Sequence, residues 1–179
     1  MLRSNFSWRV TCALAFGLSL LAAQARAQLR VEVTGVGSNQ LPIAVAHFQV
    51  DGQPPQDVDE IIRADLVRSG VFRLVDTGST PIPETARVDL PDWKSKGADA
   101  VVVGSVAKLA DGRFDVRFRL YDAVKQQQID GLSYVSSVAE LRLNSHRIAD
   151  RIYEKLTGVR GVFATSFEGW WLGEVPGSR

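Results

Sequence analysis

The stretch from Ala98 to Tyr121 allows few folds. Ala98–Ala107 (ADAVVVGSVA) is a valine-rich apolar run, the length of a strand, with both faces apolar. It is expected to be a central strand covered on both sides. Asp111-Gly112 follows as a strong short hairpin signal. Beyond it Phe114, Val116, Phe118 and Leu120 alternate with Arg113, Asp115, Arg117 and Arg119, a period that puts one face in the core and the other in water. A further strand is expected near Gln128–Ser136.

Helical patterns flank this unit. Asp57-Val58-Asp59-Glu60 reads as a capping box, in which the Asp57 carboxylate accepts from the Glu60 amide. Val58, Ile61, Ile62 and Leu66 then share a face, and Gly70 supplies the stop. Ser137-Val138-Ala139-Glu140 is a second box. The helix it opens lines up Leu141, Ser145, Ile148, Ala149, Ile152 and Leu156 before Gly158. Pro42–Phe48 and Val71–Val75 are expected strands, and the chain up to Thr165 reads as beginning another. Asp76–Pro91 reads as loop and Asp92–Gly97 as one helical turn. The sum is an α/β fold, a mixed sheet of about five strands packed against two main helices on one sheet face.

Residues 1–27 stand apart. They carry Arg3, Arg9 and Arg26, no acid, and an apolar run from Cys12 to Ala23 that falls short of the ~20 residues a membrane span needs. Ala25-Arg26-Ala27 has the small-x-small form read by signal peptidase, so a cleaved export signal is expected, cut between Ala27 and Gln28, rather than an uncleaved anchor. Cys12 is the single cysteine, and Arg9-Val10-Thr11 before it makes a poor lipobox. The exported chain is then free of thiols, as suits an oxidising compartment. It holds 18 basic against 20 acidic residues, a net charge of −2, which gives no field for nucleic acid. Gln28–Thr34 (QLRVEVT), where Leu29, Val31 and Val33 alternate with Arg30 and Glu32, is a half-buried strand or an extended arm suited to a sheet edge.

Candidate chemistry is sparse. Gly35-Val36-Gly37 lacks the helix opening that a dinucleotide loop needs, because Pro42 follows closely. His47 sits in an apolar strand. His146 and Asp150, at i and i+4, could orient an imidazole, yet no second histidine ligand or nucleophile elbow accompanies them. Asp57, Asp59 and Glu60 lack calcium-loop spacing. Arg113, Arg117 and Arg119 are interleaved with Asp111, Asp115 and Asp122, which makes a solvated face. No catalytic residue, metal site or cofactor is expected.

Several stretches carry a resemblance. They are Leu41–Val45 (LPIAV) with Phe48, Ile61-Ile62, Ala64-Asp65-Leu66, Ser69–Phe72 (SGVF) and Gly97–Gly104 (GADAVVVG). His146, Ala149-Asp150, Tyr153–Gly158 (YEKLTG) and Gly161–Thr165 (GVFAT) complete the set. In order and spacing they resemble the amino-terminal domain of the TolB family, periplasmic proteins of the Tol-Pal cell-envelope system. The resemblance spans residues 41–165 and implies a domain similar to the anticodon-binding domains of some tRNA synthetases. In the family a carboxy-terminal β-propeller follows and binds Pal. The extreme amino terminus binds TolA, an inner-membrane protein, which makes Gln28, Leu29, Arg30, Val31, Glu32, Val33 and Thr34 the expected TolA-binding residues. The family also implies roles in outer-membrane invagination at division, envelope integrity and protein import. The pattern departs at Ser166. Residues 166–179, with Phe167, Trp170 and Trp171, are fewer than the ~40 of one propeller blade. No propeller is expected here, and with it no Pal binding.

The expectation is a monomeric periplasmic adaptor with a signal peptide (1–27), an arm (28–40), an α/β domain (41–165) and a divergent tail (166–179). The alternatives are a stand-alone periplasmic protein-binding module, a non-functional truncated TolB, and a hydrolase built on His146 and Asp150.

Overall fold

The computed structural model describes residues 40–165. In chain order these form β1 (Leu41–Val45), β2 (Gln49–Asp51), α1 (Val58–Arg68), β3 (Phe72–Leu74), α2 (Leu90–Ser95), β4 (Ala100–Lys108), β5 (Phe114–Asp122), β6 (Gln127–Ser136) and α3 (Leu141–Thr157). They build one mixed sheet in the order β3-β1-β4-β5-β6, with the short β2 pairing β4 further along. β1 is parallel to both β3 and β4, while β4, β5 and β6 are antiparallel neighbours.

The chain leaves β1 through α1 to β3 on one side, then crosses through α2 to β4 on the other. Right-handed crossovers in opposite directions place their helices on opposite faces. The side chains agree. Val58, Ile62 and Leu66 of α1 pack with Leu141, Ile148 and Ile152 of α3 on Ile43, Val45, Val102, Val116 and Phe118. Leu90 and Trp93 of α2 pack on Ala44, Val101 and Val103, which point the other way. β4 is thus covered on both faces, with Ala100 to Val103 buried. The two main helices share a face as expected, and α2 adds a small cover opposite.

Local departures have physical reasons. Asp57 precedes α1 in extended geometry, but its side chain makes no capping bond. Glu60 does not reach back to it and pairs instead with Arg63 at 2.7 Å. The second box forms, with the Ser137 amide and hydroxyl donating to Glu140 at 3.1 and 2.8 Å, but it closes a turn over 138–140, and regular helix begins only after it, at Leu141. The strand expected at Pro42–Phe48 ends early, at Val45, and after Ala46–Phe48 a short second strand that the sequence did not suggest, β2, begins at Gln49. Gly104 of β4 marks the break: a Cβ there would lie 2.5 Å from the Phe48 ring and 2.6 Å from the Arg117 carbonyl oxygen. No strand forms at Gly161–Thr165, where Phe163 and Ala164 turn. Between Leu120 and Tyr121 the register with β6 slips, leaving Ile129 as the extra residue of a bulge.

Candidate functional site

His146 does not pair with Asp150. Its Nδ1 lies 2.5 Å from Asp65 Oδ2 on α1, and the second Asp65 oxygen accepts from Arg68 at 3.0 Å. Asp65 is 1 % exposed and His146 8 %. The pair therefore staples α1 to α3 across 81 residues of sequence, with both side chains almost wholly buried. Sequence reasoning passed over Asp65. The available signal was an acid three residues after Ile62, on the apolar stripe of its own helix, which requires a buried partner.

His47, Asp59 and Glu60 come together, with candidate ligand atoms within 4.8 Å of one another. A cation there would displace Arg63. The Arg63 guanidinium contacts Asp59 at 2.9 Å and Glu60 at 2.7 Å, and donates twice to the Val45 carbonyl, at 3.0 and 2.9 Å. His47 Nδ1 joins the same Asp59 oxygen at 3.1 Å. The cluster clamps the end of β1 to α1. Beside it a cleft of about 390 Å³ opens between His47, Arg63, Leu74 and the Asp76–Gly78 loop.

In open α/β sheets ligands enter where the strand order reverses, at the carboxyl ends of the strands. Here that point lies between β1 and β4, and the chain's own loop fills it. The Ile82 amide donates to the His47 carbonyl at 2.9 Å, and the Ile82 carbonyl accepts from the Gly104 amide at 3.2 Å. Glu84, 8 % exposed, accepts from the Ser105 hydroxyl and pins the loop to β4.

Local pairs lace β5 and the turn before it, Arg117 with Asp115 on the strand and Arg113 with Asp111 in the turn, each at 2.7 Å. Burial alone would raise the Asp115 carboxyl. The Ser133 hydroxyl and the Arg117 guanidinium outweigh it and hold the carboxyl below the usual carboxylate range. This is a satisfied, solvated face.

Asp150 has another task. One carboxylate oxygen accepts from the Phe163 amide at 2.6 Å and the other from the Ala164 amide at 3.0 Å. Gly161 packs so closely that a Cβ there would lie 2.6 Å from Asp150 Cα. The Phe163 ring stands edge-on to Tyr153 at 5.8 Å, and Tyr153 edge-on to Phe72 at 5.9 Å. The cleavage pair Ala27 and Gln28, the arm Gln28–Thr34 and the tail aromatics Phe167, Trp170 and Trp171 lie outside the described residues. Among the described residues no helix is long and apolar enough to cross a membrane.

Comparison with known proteins agrees with this fold. The sequence profile of the TolB amino-terminal domain matches residues 29–129. The "Tol-Pal system protein TolB" of Polaromonas naphthalenivorans is 51 % identical over 161 residues, covering 90 % of this chain and 38 % of that protein. Its counterpart in Polaromonas sp. strain JS666 is 57 % identical over 151 residues, covering 83 % of this chain and 35 % of that protein. The crystal structure of TolB from Acinetobacter baumannii superposes with a TM-score of 0.60 at 31 % identity, covering 70 % of this chain and 30 % of that one. The chain thus spans under two-fifths of the length of these relatives. With profile, identity and fold in agreement, it belongs to the TolB amino-terminal domain family of the Tol-Pal system.

Proposed function

We propose that this chain serves the Tol-Pal system as a non-catalytic periplasmic adaptor, exported by cleavage between Ala27 and Gln28, whose arm Gln28–Thr34 binds TolA. The observation that carries the reading is the 51 % identity to a Tol-Pal protein across 90 % of the chain. Two features support it. The alternation of Leu29, Val31 and Val33 suits strand addition to a partner's sheet edge, where backbone hydrogen bonds give affinity and alternate side chains give specificity. The crevice where α/β folds take small ligands is filled by Ile82, and the histidines are both spent on carboxylates of the fold. Through TolA the domain would contribute to outer-membrane invagination at division, envelope integrity and protein import.

The test is a titration of purified TolA against the exported chain and against a deletion of residues 28–34. Binding is expected to vanish in the deletion while the melting curve stays unchanged. Undiminished TolA affinity in a folded deletion refutes the arm assignment. Intact-mass measurement of the exported protein checks the first step. A mass beginning at Gln28 is expected, and one retaining residues 1–27 excludes cleavage.

A further inference from the structure

We propose that Asp150 is a latch residue that fixes the direction in which the polypeptide leaves the domain after α3. Gly158 ends α3 in a left-handed conformation at φ 75°, and that cap by itself sets only the first step of the exit. Direction is set two turns back. Asp150 spends both carboxylate oxygens on two successive backbone amides, those of Phe163 and Ala164. Two donors on consecutive residues meet one carboxylate in a narrow range of backbone orientations, so these bonds orient the chain as well as hold it. Among the described residues Asp150 makes no ion pair that would compete for those oxygens.

The latch has two further parts. Gly161 lets the backbone lie against Asp150, since any side chain there would strike the helix. Phe163 supplies an aromatic half, edge-on to Tyr153, which in turn is edge-on to Phe72 at the base of β3. The segment Gly161–Thr165 is thereby tied to α3 and the sheet.

The latch lies at the margin of the core, with Phe163 packed against it from outside. Phe163 is only half-buried, Thr165 is exposed, and neither belongs to the fully buried core. Its loss is therefore a local opening, of the kind that leaves the global transition untouched. That separates a positioning role from a merely structural one.

The experiment uses the full chain and three variants, Asp150→Ala, Asp150→Asn and Gly161→Ala. Amide-resolved hydrogen exchange is read first. Loss of charge-assisted bonds in Asp150→Ala should accelerate the Phe163 and Ala164 amides roughly 10- to 100-fold. The amides of Ile148 and Ile152 should not change. Asp150→Asn keeps one oxygen acceptor and should free one amide more than the other. Gly161→Ala, which leaves the carboxylate in place, should accelerate both amides by separating backbone from helix.

Direction is read by spin-label distances between Ala64→Cys, exposed on α1, and Thr165→Cys, in a Cys12→Ser background. A narrow distribution is expected with Asp150 present and a broad one in Asp150→Ala, at an unchanged melting temperature. Unaltered exchange at Phe163 and Ala164, or a distribution that stays narrow in Asp150→Ala, overturns the proposal. So does acceleration spread evenly over the domain, which would make Asp150 an ordinary stability residue. Should Asp150→Ala fail to fold, the Asp150→Asn and Gly161→Ala patterns decide by the same criteria.

Discussion

Replacing His146 by alanine should cost this domain more than any exposed substitution on α3, and the reason is the partner left behind. The Asp65 side chain is 2 % exposed, so its carboxylate has little access to water. Without His146 it retains Arg68 at 3.0 Å, but the Arg68 side chain is 71 % exposed and solvent competes for its charge. Leaving a buried acceptor without its donor costs ~1–3 kcal/mol, and the near-complete burial of Asp65 places His146→Ala at the upper end, about 3 kcal/mol. For a domain of this size that lowers the melting temperature by roughly 10 °C. Asp65→Ala leaves an imidazole at the margin of the core, a smaller penalty of about 2 kcal/mol. The double variant leaves no orphan, so it should recover about 2 kcal/mol relative to the sum of the single changes. Urea melts of the four proteins, analysed with a common slope, give the coupling directly. A His146→Ala cost below about 1 kcal/mol, or strict additivity, refutes the claim that the staple is a coupled buried pair.

Gly104→Ala should destabilise by about 2–3 kcal/mol, because its Cβ would meet the Phe48 ring and the Arg117 carbonyl at once. Thermal melts should show the loss, and Phe48→Leu in the same chain should partly restore stability by making room. Acid should also weaken the domain. Burial alone would raise the Asp130 carboxyl, but the Arg151 guanidinium, the Gly131 amide and the Lys155 charge hold it below the usual carboxylate range, as Asp115 is held. A carboxyl lowered in the folded state stabilises above its unfolded value of about 4, and loses that contribution as pH falls through the lowered one. The contribution of these two carboxyls should therefore be level from neutrality to about pH 5 and fall below about pH 4, with a shallower fall in Asp130→Asn.

The sheet was legible where period decided it. The hairpin of β4 and β5 came from the alternation of Phe114 to Leu120 and the Asp111-Gly112 turn, and pairing joins Ala100 to Asp122 through Lys108 to Phe114. α3 was legible from its stripe and from Gly158, because amphipathic period and a left-handed stop are local. Long-range pairing was not. The bond from His146 to Asp65 crosses 81 residues, and the i, i+4 neighbour Asp150 offered a nearer but mistaken partner. The β1–β2 break was hidden as well, since Ala46-His47-Phe48 continues an apolar run and the contacts that mark the break, Phe48 with Gly104, Arg63 with Val45 and Ile82 with His47, are all long-range. Asp57 misled for a related reason. Its extended geometry fits a cap, but Arg63 draws Glu60 away and the box is never closed.

The bridge that Ile82 makes between His47 and Gly104 has a thermodynamic meaning of its own. A segment seated in a ligand crevice and tied to the same chain behaves as a tethered ligand, present at the effective concentration its linkers impose, on the order of millimolar for short flexible tethers. The domain is permanently in its bound state, and its stability already contains that occupancy. A single proteolytic nick in the exposed stretch at Ser79–Pro81 would leave the hydrogen bonds intact but remove one tether, and would turn a constant of the fold into a binding equilibrium. The nicked protein should then melt at a temperature that depends on dilution once the fragments can part, a property that the intact chain cannot have.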